Sequence, residues 1–480
     1  MGPDSIRRTR FGALLVTAAL AVTACGSSGS SNPPASVAPA SVAPASVAPA
    51  SVAPASVAPA PSGVASEAPT PVPIACAAPA VTGLSNIGGK VTVIGTWTGS
   101  EQDSFMCMVK PFMDATGITV EYTGTRDITN ILQTGISAGN LPDVAGLPGP
   151  GVMADFAAQG ALKPLDGVID VAKYTADSPP GYVEKGAASG KQVGVIIKAS
   201  VKGLIWFDPK VYKGGVPTSW DDLNTKAKAA LTSLTGTKEW CVGLESGAAT
   251  GWPGSDWLED FVLRQDGADF YNNWAAGKAK WNGPELQNAF KAFGTVVSAD
   301  NVYGGPQTVL ATNFGDGGNQ LFTTPPGCLF HHQASFITDF FNKQGHAQPG
   351  DYDFFPFPDI NTQFTGAIEG GGDLFGMFND TPQAEALIKY LITPAAQQIW
   401  VVRGGAISGS KSVPLDAYPD DFSKRSAQAL EAAKSFVFDA SDLMPTALGT
   451  AFLKGIVDFT QDQTKLDSIL TNLDTVQGGG

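Results

Sequence analysis

The segment Gly251-Trp-Pro-Gly-Ser-Asp-Trp257 sets two indole rings and a carboxylate within a short stretch punctuated by glycine and proline. That set suits a polyhydroxylated ring. A sugar offers an apolar face of C–H groups, which an aromatic plane covers, and a rim of hydroxyls, which carboxylates, amides and guanidinium groups bond. Trp252, Asp256 and Trp257 are therefore candidate ligand contacts, although Asp256 is equally suited to cap the helix expected at 257–264. Trp97 stands among small residues in Gly95-Thr-Trp-Thr-Gly99 at the end of a strand, and Thr98 and Glu101 open the next helix. Gln333 and Phe336 follow a strand at 328–332, and Pro148 lies just past a strand at 142–146. Arg403 supplies a forked donor for vicinal hydroxyls.

Other chemistries fail on spacing. Glycoside hydrolysis needs two carboxyls roughly 5 to 10 Å apart, and Glu101, Asp256 and Asp373 come from separate segments with nothing in the spacing to pair them. The Gly-x-Ser-x-Gly string at 135–139 falls in the helix expected at 128–138 and not on a strand-to-helix turn, so no nucleophile elbow emerges. Gly370-Gly-Gly-Asp373 lacks the Lys-Ser/Thr of a phosphate loop and precedes a strand (374–378), not a helix. His331 and His332 are strand neighbours that point to opposite faces, and read as structural. With three histidines and no two of Cys76, Cys107, Cys241 and Cys328 close in sequence, neither a metal site nor a cofactor is expected. The net charge of −14, without clustered Lys or Arg, argues against nucleic acid as a partner.

These residues need elements to hold them. Strands at 90–95, 117–122 and 142–146 alternate with helices at 103–115, 128–138 and 152–159. Such alternation predicts an α/β protein with parallel sheet covered on both faces. Nearly 400 residues are more than one core usually holds, which predicts two lobes.

The N-terminus carries a different message. Arg7, Arg8 and Arg10 precede a short apolar run at 11–22, and small residues lead to Cys25. About a dozen apolar residues are too few to span a ~30 Å bilayer, but they suit a leader peptide. The site resembles a bacterial lipobox, which makes residues 1–24 a signal peptide and Cys25 a lipidation site anchoring the chain to the membrane. From 25 to 85 the chain is a Pro/Ala/Ser-rich spacer in which Ala-Ser-Val-Ala-Pro repeats five times over 35–59. Too little of it is apolar to form a core. The remaining four cysteines, in an oxidising compartment, suggest two disulfides, and three pairings are open.

The order of Gly95–Gly99, Phe112-Met-Asp-Ala-Thr-Gly-Ile-Thr-Val120 and Gly139-Asn-Leu-Pro-Asp143 resembles the opening of extracellular solute-binding proteins of carbohydrate ABC importers. The resemblance continues through Lys202–Pro209, Val216–Leu223, Trp240–Ser246, Thr250–Asp260, Pro326–Phe336, Gly370–Asp373 and Ser441–Pro445, and its look is nearest to the α-glucoside type. It implies a type II periplasmic-binding-protein fold, each lobe a doubly wound sheet, with lobes of 86–199 plus 365–408 and of 203–361 plus 411–476. The crossings would fall at 199–203, 358–364 and 407–411. Solute would bind between the lobes, with Gly371, Gly372 and Asp373 facing the cleft, and closure would signal an ABC permease. Bridges confined to single lobes would be Cys76–Cys107 and Cys241–Cys328. The expected partners are a small sugar, the permease and, through Cys25, the membrane, for a monomeric receptor that is not an enzyme. A carbohydrate-active enzyme, or a receptor of this fold for a non-sugar solute, is the competing reading.

Overall fold

The computed structural model describes Cys76 and residues 83–479, apart from 180, 344, 345 and 432. The leader, Cys25 and the repeat tract lie outside the described residues.

Alternating apolar residues form the first strands: β1 (Lys90–Gly95), β2 (Thr119–Gly124) and β3 (Val144–Leu147). β4 (Ala187–Ala188) and β5 (Lys191–Gln192) make a small hairpin. β6 (Gly194–Val201) is buried along its whole length, and β7 (Leu204–Phe207) follows at once. β8 (Lys238–Cys241), β9 (Cys328–Gln333) and β10 (Asp353–Pro356) precede the long β11 (Ala367–Met377). β12 (Ile407–Ser408) and β13 (Ser435–Phe438) complete the set among the described residues.

Two main sheets result. The larger runs β12-β6-β11-β3-β1-β2 with β13 beside β11, and the smaller runs β10-β7-β9-β8. The expected parallel pairing holds for part of the sheet, and the rest is mixed. β1 is parallel to β2 and β3, but β11 is antiparallel to β3 and β6, and β12 is antiparallel to β6. β11 enters the larger sheet from the smaller one and not through a helical crossover within the sheet, so connectivity does not force it parallel to β3 or β6. The smaller sheet is also mixed, with only β8–β9 parallel.

Only Lys202 and Gly203 separate β6 of one sheet from β7 of the other. Gly203 has φ +66°, and a Cβ there would lie 2.5 to 2.9 Å from the Asp260 carboxyl group, so glycine is required by both backbone and space.

Helix Ser100–Thr116 covers one face of the larger sheet, burying Phe105, Met108 and Phe112 against Val91, Val93 and Phe375. Around the smaller sheet, helix Trp252–Ala275 packs Trp257, Phe261 and Trp274 among Trp240, Trp281, Phe290 and Phe452. Burying a large apolar side chain is worth about 1.5–3 kcal/mol, so these clusters carry much of the stability. Cys76 is bonded to Cys107 and Cys241 to Cys328, the pairing that single-lobe bridges imply. No helix among the described residues is long and apolar enough to cross a membrane.

Candidate functional site

A cavity of about 300 Å³ opens where the two sheets meet, with walls from the ends of β1, β3, β6 and β11 and from helix Trp252–Ala275. That volume lies at the small end of the range for small-molecule sites.

On one side, Thr96 and Trp97 follow β1. The Trp97 ring is almost wholly buried, stacked on Phe375 at 5.2 Å and edge-on to Trp400 at 4.5 Å. Its indole N–H donates to Asp373 at 3.1 Å, while Thr96 Oγ1 donates to the other carboxylate oxygen at 3.3 Å. Trp97 therefore orients Asp373 as well as lining the cavity. Glu101, one residue into the next helix, accepts from Lys198 Nζ at 2.5 Å and from Arg126 at 3.1 Å. Burial opposes the Glu101 charge, but Lys198 and Arg126 outweigh it and hold this carboxyl below the ordinary range. Lys198 Nζ also lies 5.5, 5.2 and 5.0 Å from the ring centres of Trp97, Phe336 and Trp400. Burial raises the Asp373 carboxyl above its usual range.

Opposite stands an aromatic wall. Trp252 meets Phe314 at 5.2 Å and Phe336 at 6.0 Å, and the Arg126 guanidinium covers Phe314 at 4.7 Å. The helix begins at Trp252, earlier than the expected 257, because Gly251 adopts φ 111° and Pro253 suits a first turn. Trp252 and Asp256, four apart, therefore share one face. The floor between the walls is Lys202, whose ammonium bonds both oxygens of Asp256 at 2.9 Å and Asp439 at 2.8 Å, 5.2 Å from the Trp252 ring centre. Burial raises Asp256, with Lys202 opposing, whereas for Asp439 Lys202 and three hydrogen bonds outweigh burial and lower it. Gly371 and Gly372 present bare backbone to the cavity. A Cβ on Gly372 would approach Ile196 to 2.9 Å and the Lys198 carbonyl to 3.1 Å.

Of the residues singled out from sequence, the cavity brings together Trp97, Glu101, Pro148, Trp252, Asp256, Phe336, Gly371, Gly372 and Asp373. Four others stand elsewhere. Trp257 is one helical step of about 100° past Asp256, which turns it into the core between Trp240 (4.8 Å) and His332 (4.4 Å). Gln333 folds onto its own chain, its Oε1 accepting from the Ala334 N–H at 2.8 Å. Arg403 ends helix Pro394–Arg403 and donates to Ser104 at 3.3 Å. Thr98 is half-buried and does not line the cavity. His331 and His332 are internal, bonded to the Cys241 carbonyl and to Asp260.

Arg126, Lys198, Lys202, Phe314, Asp439, Ser441 and Asp442 also line the cavity and were not singled out. Two of them left a signal. Lys198 and Lys202 interrupt the apolar run Gly194-Val-Ile-Ile-Lys-Ala-Ser-Val-Lys-Gly203, and a buried lysine demands a carboxylate partner.

The sequence profile of bacterial extracellular solute-binding proteins matches residues 98–398. The osmoprotective compounds-binding protein GgtB of Synechocystis is 36% identical over 375 residues, spanning 77% of this chain and 88% of the relative. The α-glucosides-binding periplasmic protein AglE of Rhizobium meliloti is 34% identical over 397 residues, spanning 79% and 85%. Among solved structures, a chitin oligosaccharide binding protein superposes with TM-score 0.70 at 20% identity, covering 82% of this chain and 98% of that one. A maltose-bound MalE3 of T. maritima gives 0.63 at 18%, covering 82% and 99%. The fold is thus the two-lobed one that the sequence resemblance implies, and the chain belongs to the bacterial extracellular solute-binding proteins.

Proposed function

We propose that this chain is the receptor of an ABC import system, capturing a sugar of the α-glucoside type in the cleft without turning it over. The observation that carries this reading is the opposition of the Trp252–Phe314–Phe336 wall to the polar side and floor formed by Asp373, Glu101, Lys198, Lys202, Asp256 and Asp439. The aromatic plane covers the C–H face of a pyranose, and the ionic groups bond its hydroxyl rim. The relatives named for osmoprotective compounds and α-glucosides support the same solute class. In this reading the lobes are 86–199 with 365–408 and 203–361 with 411–476, and they close over the sugar to present a loaded monomer to the permease. Cys25, diacylated after removal of residues 1–24, holds the receptor at the membrane, and the repeat tract is its leash.

Calorimetry against trehalose, sucrose, maltose, maltotriose and glycine betaine tests the solute, and chromatography of each sugar after incubation tests turnover. Tight binding of at least one glucoside with no product is expected. Affinity for betaine alone assigns a non-sugar receptor, and product formation assigns an enzyme; either result sinks the reading. Acyl labelling of cells that is lost in Cys25→Ser checks the anchor.

A further inference from the structure

Behind the cleft floor, carboxylates outnumber the cations available to them. Asp256, Glu369 and Asp439 each bring an oxygen within 4.8 Å of one another. A metal ion would have to displace the Lys202 ammonium, which already bonds Asp256 and Asp439, so the trio is not a cation site. Next to it, both oxygens of Glu259 are taken: Oε2 accepts from the Ala440 N–H at 2.9 Å and the Tyr271 hydroxyl at 3.1 Å, and Oε1 from the Ser441 N–H at 3.1 Å. Glu369, on β11, has 0% exposure, and among the described residues no donor reaches either of its oxygens. Its carboxyl group lies within hydrogen-bonding reach of Glu259.

The charged and titratable groups around this pair come from every element packed on it. Helix Trp252–Ala275 contributes Asp256, Asp260, Arg264 and Tyr271; the β6–β7 link contributes Lys202; the segment after β13 contributes Asp439 and Asp442; and His332 on β9 is bonded to Asp260. Carboxylates buried this close together cannot all ionise, because burial penalises each charge and the charges repel.

We propose that Glu369 holds a proton and donates it to Glu259, so that this proton latches β11 and the 439–443 segment onto helix Trp252–Ala275. Glu259 is the ionised member, since N–H and O–H groups already point at both its oxygens. Glu369 is the neutral one, since no donor among the described residues reaches it. Burial first, then the surrounding carboxylates, push Glu369 well above the ordinary range; burial and the acids raise Glu259 too, but there Lys202 and the hydrogen bond from Glu369 oppose the rise. The latch matters for the cleft because the segment that Glu259 grips carries Asp439, Ser441 and Asp442, all facing the cavity. A carboxyl with a raised folded pKa binds its proton more tightly folded than unfolded. Its contribution is complete below the unfolded value of 4.5 and is lost as pH climbs through the folded one. The inference concerns the assembly of the cleft floor and holds whatever solute the cleft takes.

Carboxyl-labelled glutamate in the full chain, read by carbon NMR at pH 7 without solute, tests it. An acid-form glutamate signal is expected that Glu369→Gln removes. Glu239→Gln should leave this signal in place, although burial also pushes that residue up to about 7. In urea unfolding across pH 5 to 9, the wild-type folded-to-unfolded ratio should fall, relative to Glu369→Gln, by up to about tenfold per pH unit where the signal titrates. Wild-type glutamates all in the ionised form at pH 7, or parallel pH profiles for the two proteins, overturn the proposal. If Glu369→Gln does not fold, the spectrum of Glu239→Gln decides: an acid-form signal that persists at pH 7 supports the proposal, and its absence overturns it.

Discussion

Lys202 shows how much one side chain can organise. It sits in the two-residue link between the sheets, bonds carboxylates from two other elements, and lies over the ring of Trp252. Replacing it by methionine keeps the bulk but leaves Asp256 and Asp439 facing each other unpaired. Removing one partner of a buried ion pair typically costs about 3–5 kcal/mol, and a loss of this size is expected in urea unfolding at pH 7. Trp252→Ala acts differently, since the ring is half-buried and forms the cavity wall. Solute affinity should drop at least tenfold by calorimetry, as loss of about 1.4 kcal/mol of stacking implies; unchanged affinity would remove Trp252 from the site. Glu101 offers a pH test with a defined sign. Lys198 and Arg126 lower its folded pKa against the opposing effect of burial, so its contribution is present above the unfolded value of 4.5 and is lost as pH falls through the folded one. Glu101→Gln should therefore be less stable than wild type at pH 7, and thermal melts of the two should converge toward pH 3.

At the scale of elements, helix Trp252–Ala275 serves two faces at once. Its first turn gives Trp252 and Asp256 to the cavity, while Trp257 and Phe261 belong to the core of the smaller sheet. The two roles separate by mutation. Trp257→Ala should destabilise by about 3–5 kcal/mol, the usual cost of an aromatic truncation in a core, while solute affinity measured well below the melting midpoint stays within a few-fold. An affinity loss equal to that of Trp252→Ala would place Trp257 in the site. β11 has a comparable double role. It pairs with β3, β6 and β13 and carries Gly371, Gly372 and Asp373 to the cavity, with a register shift between Asp373 and Leu374 where the strand turns its side chains. Much of this layout is legible locally: β1 and helix 128–138 fall where alternation and helical periodicity place them. Helix Trp252–Ala275 starts earlier than its local signals suggest because Gly251 begins it, and it is broken at the non-helical Gly267, close to the expected end at 264.

For the molecule as a whole, the proposed closure of the lobes over solute predicts a change of shape. Small-angle scattering should show a smaller radius of gyration on adding the glucoside that calorimetry selects, and no change with a sugar that does not bind. An unchanged radius with saturating ligand would mean that the cleft is preformed.

Element types, the order of motifs that marks the family and the residues whose chemistry suits a polyol can all be read along the chain, because periodicity, turn residues and side-chain type are local properties. Tertiary structure alone decided which of those side chains meet. Trp97 bonds Asp373 across 276 positions, and Glu259 grips backbone N–H groups 181 and 182 positions away. One helical step separates a cavity residue, Asp256, from a core residue, Trp257. Lys198, Lys202 and Asp439 were not singled out for the same reason: a charge can be buried only beside its partner, and these partners are brought together by folding alone.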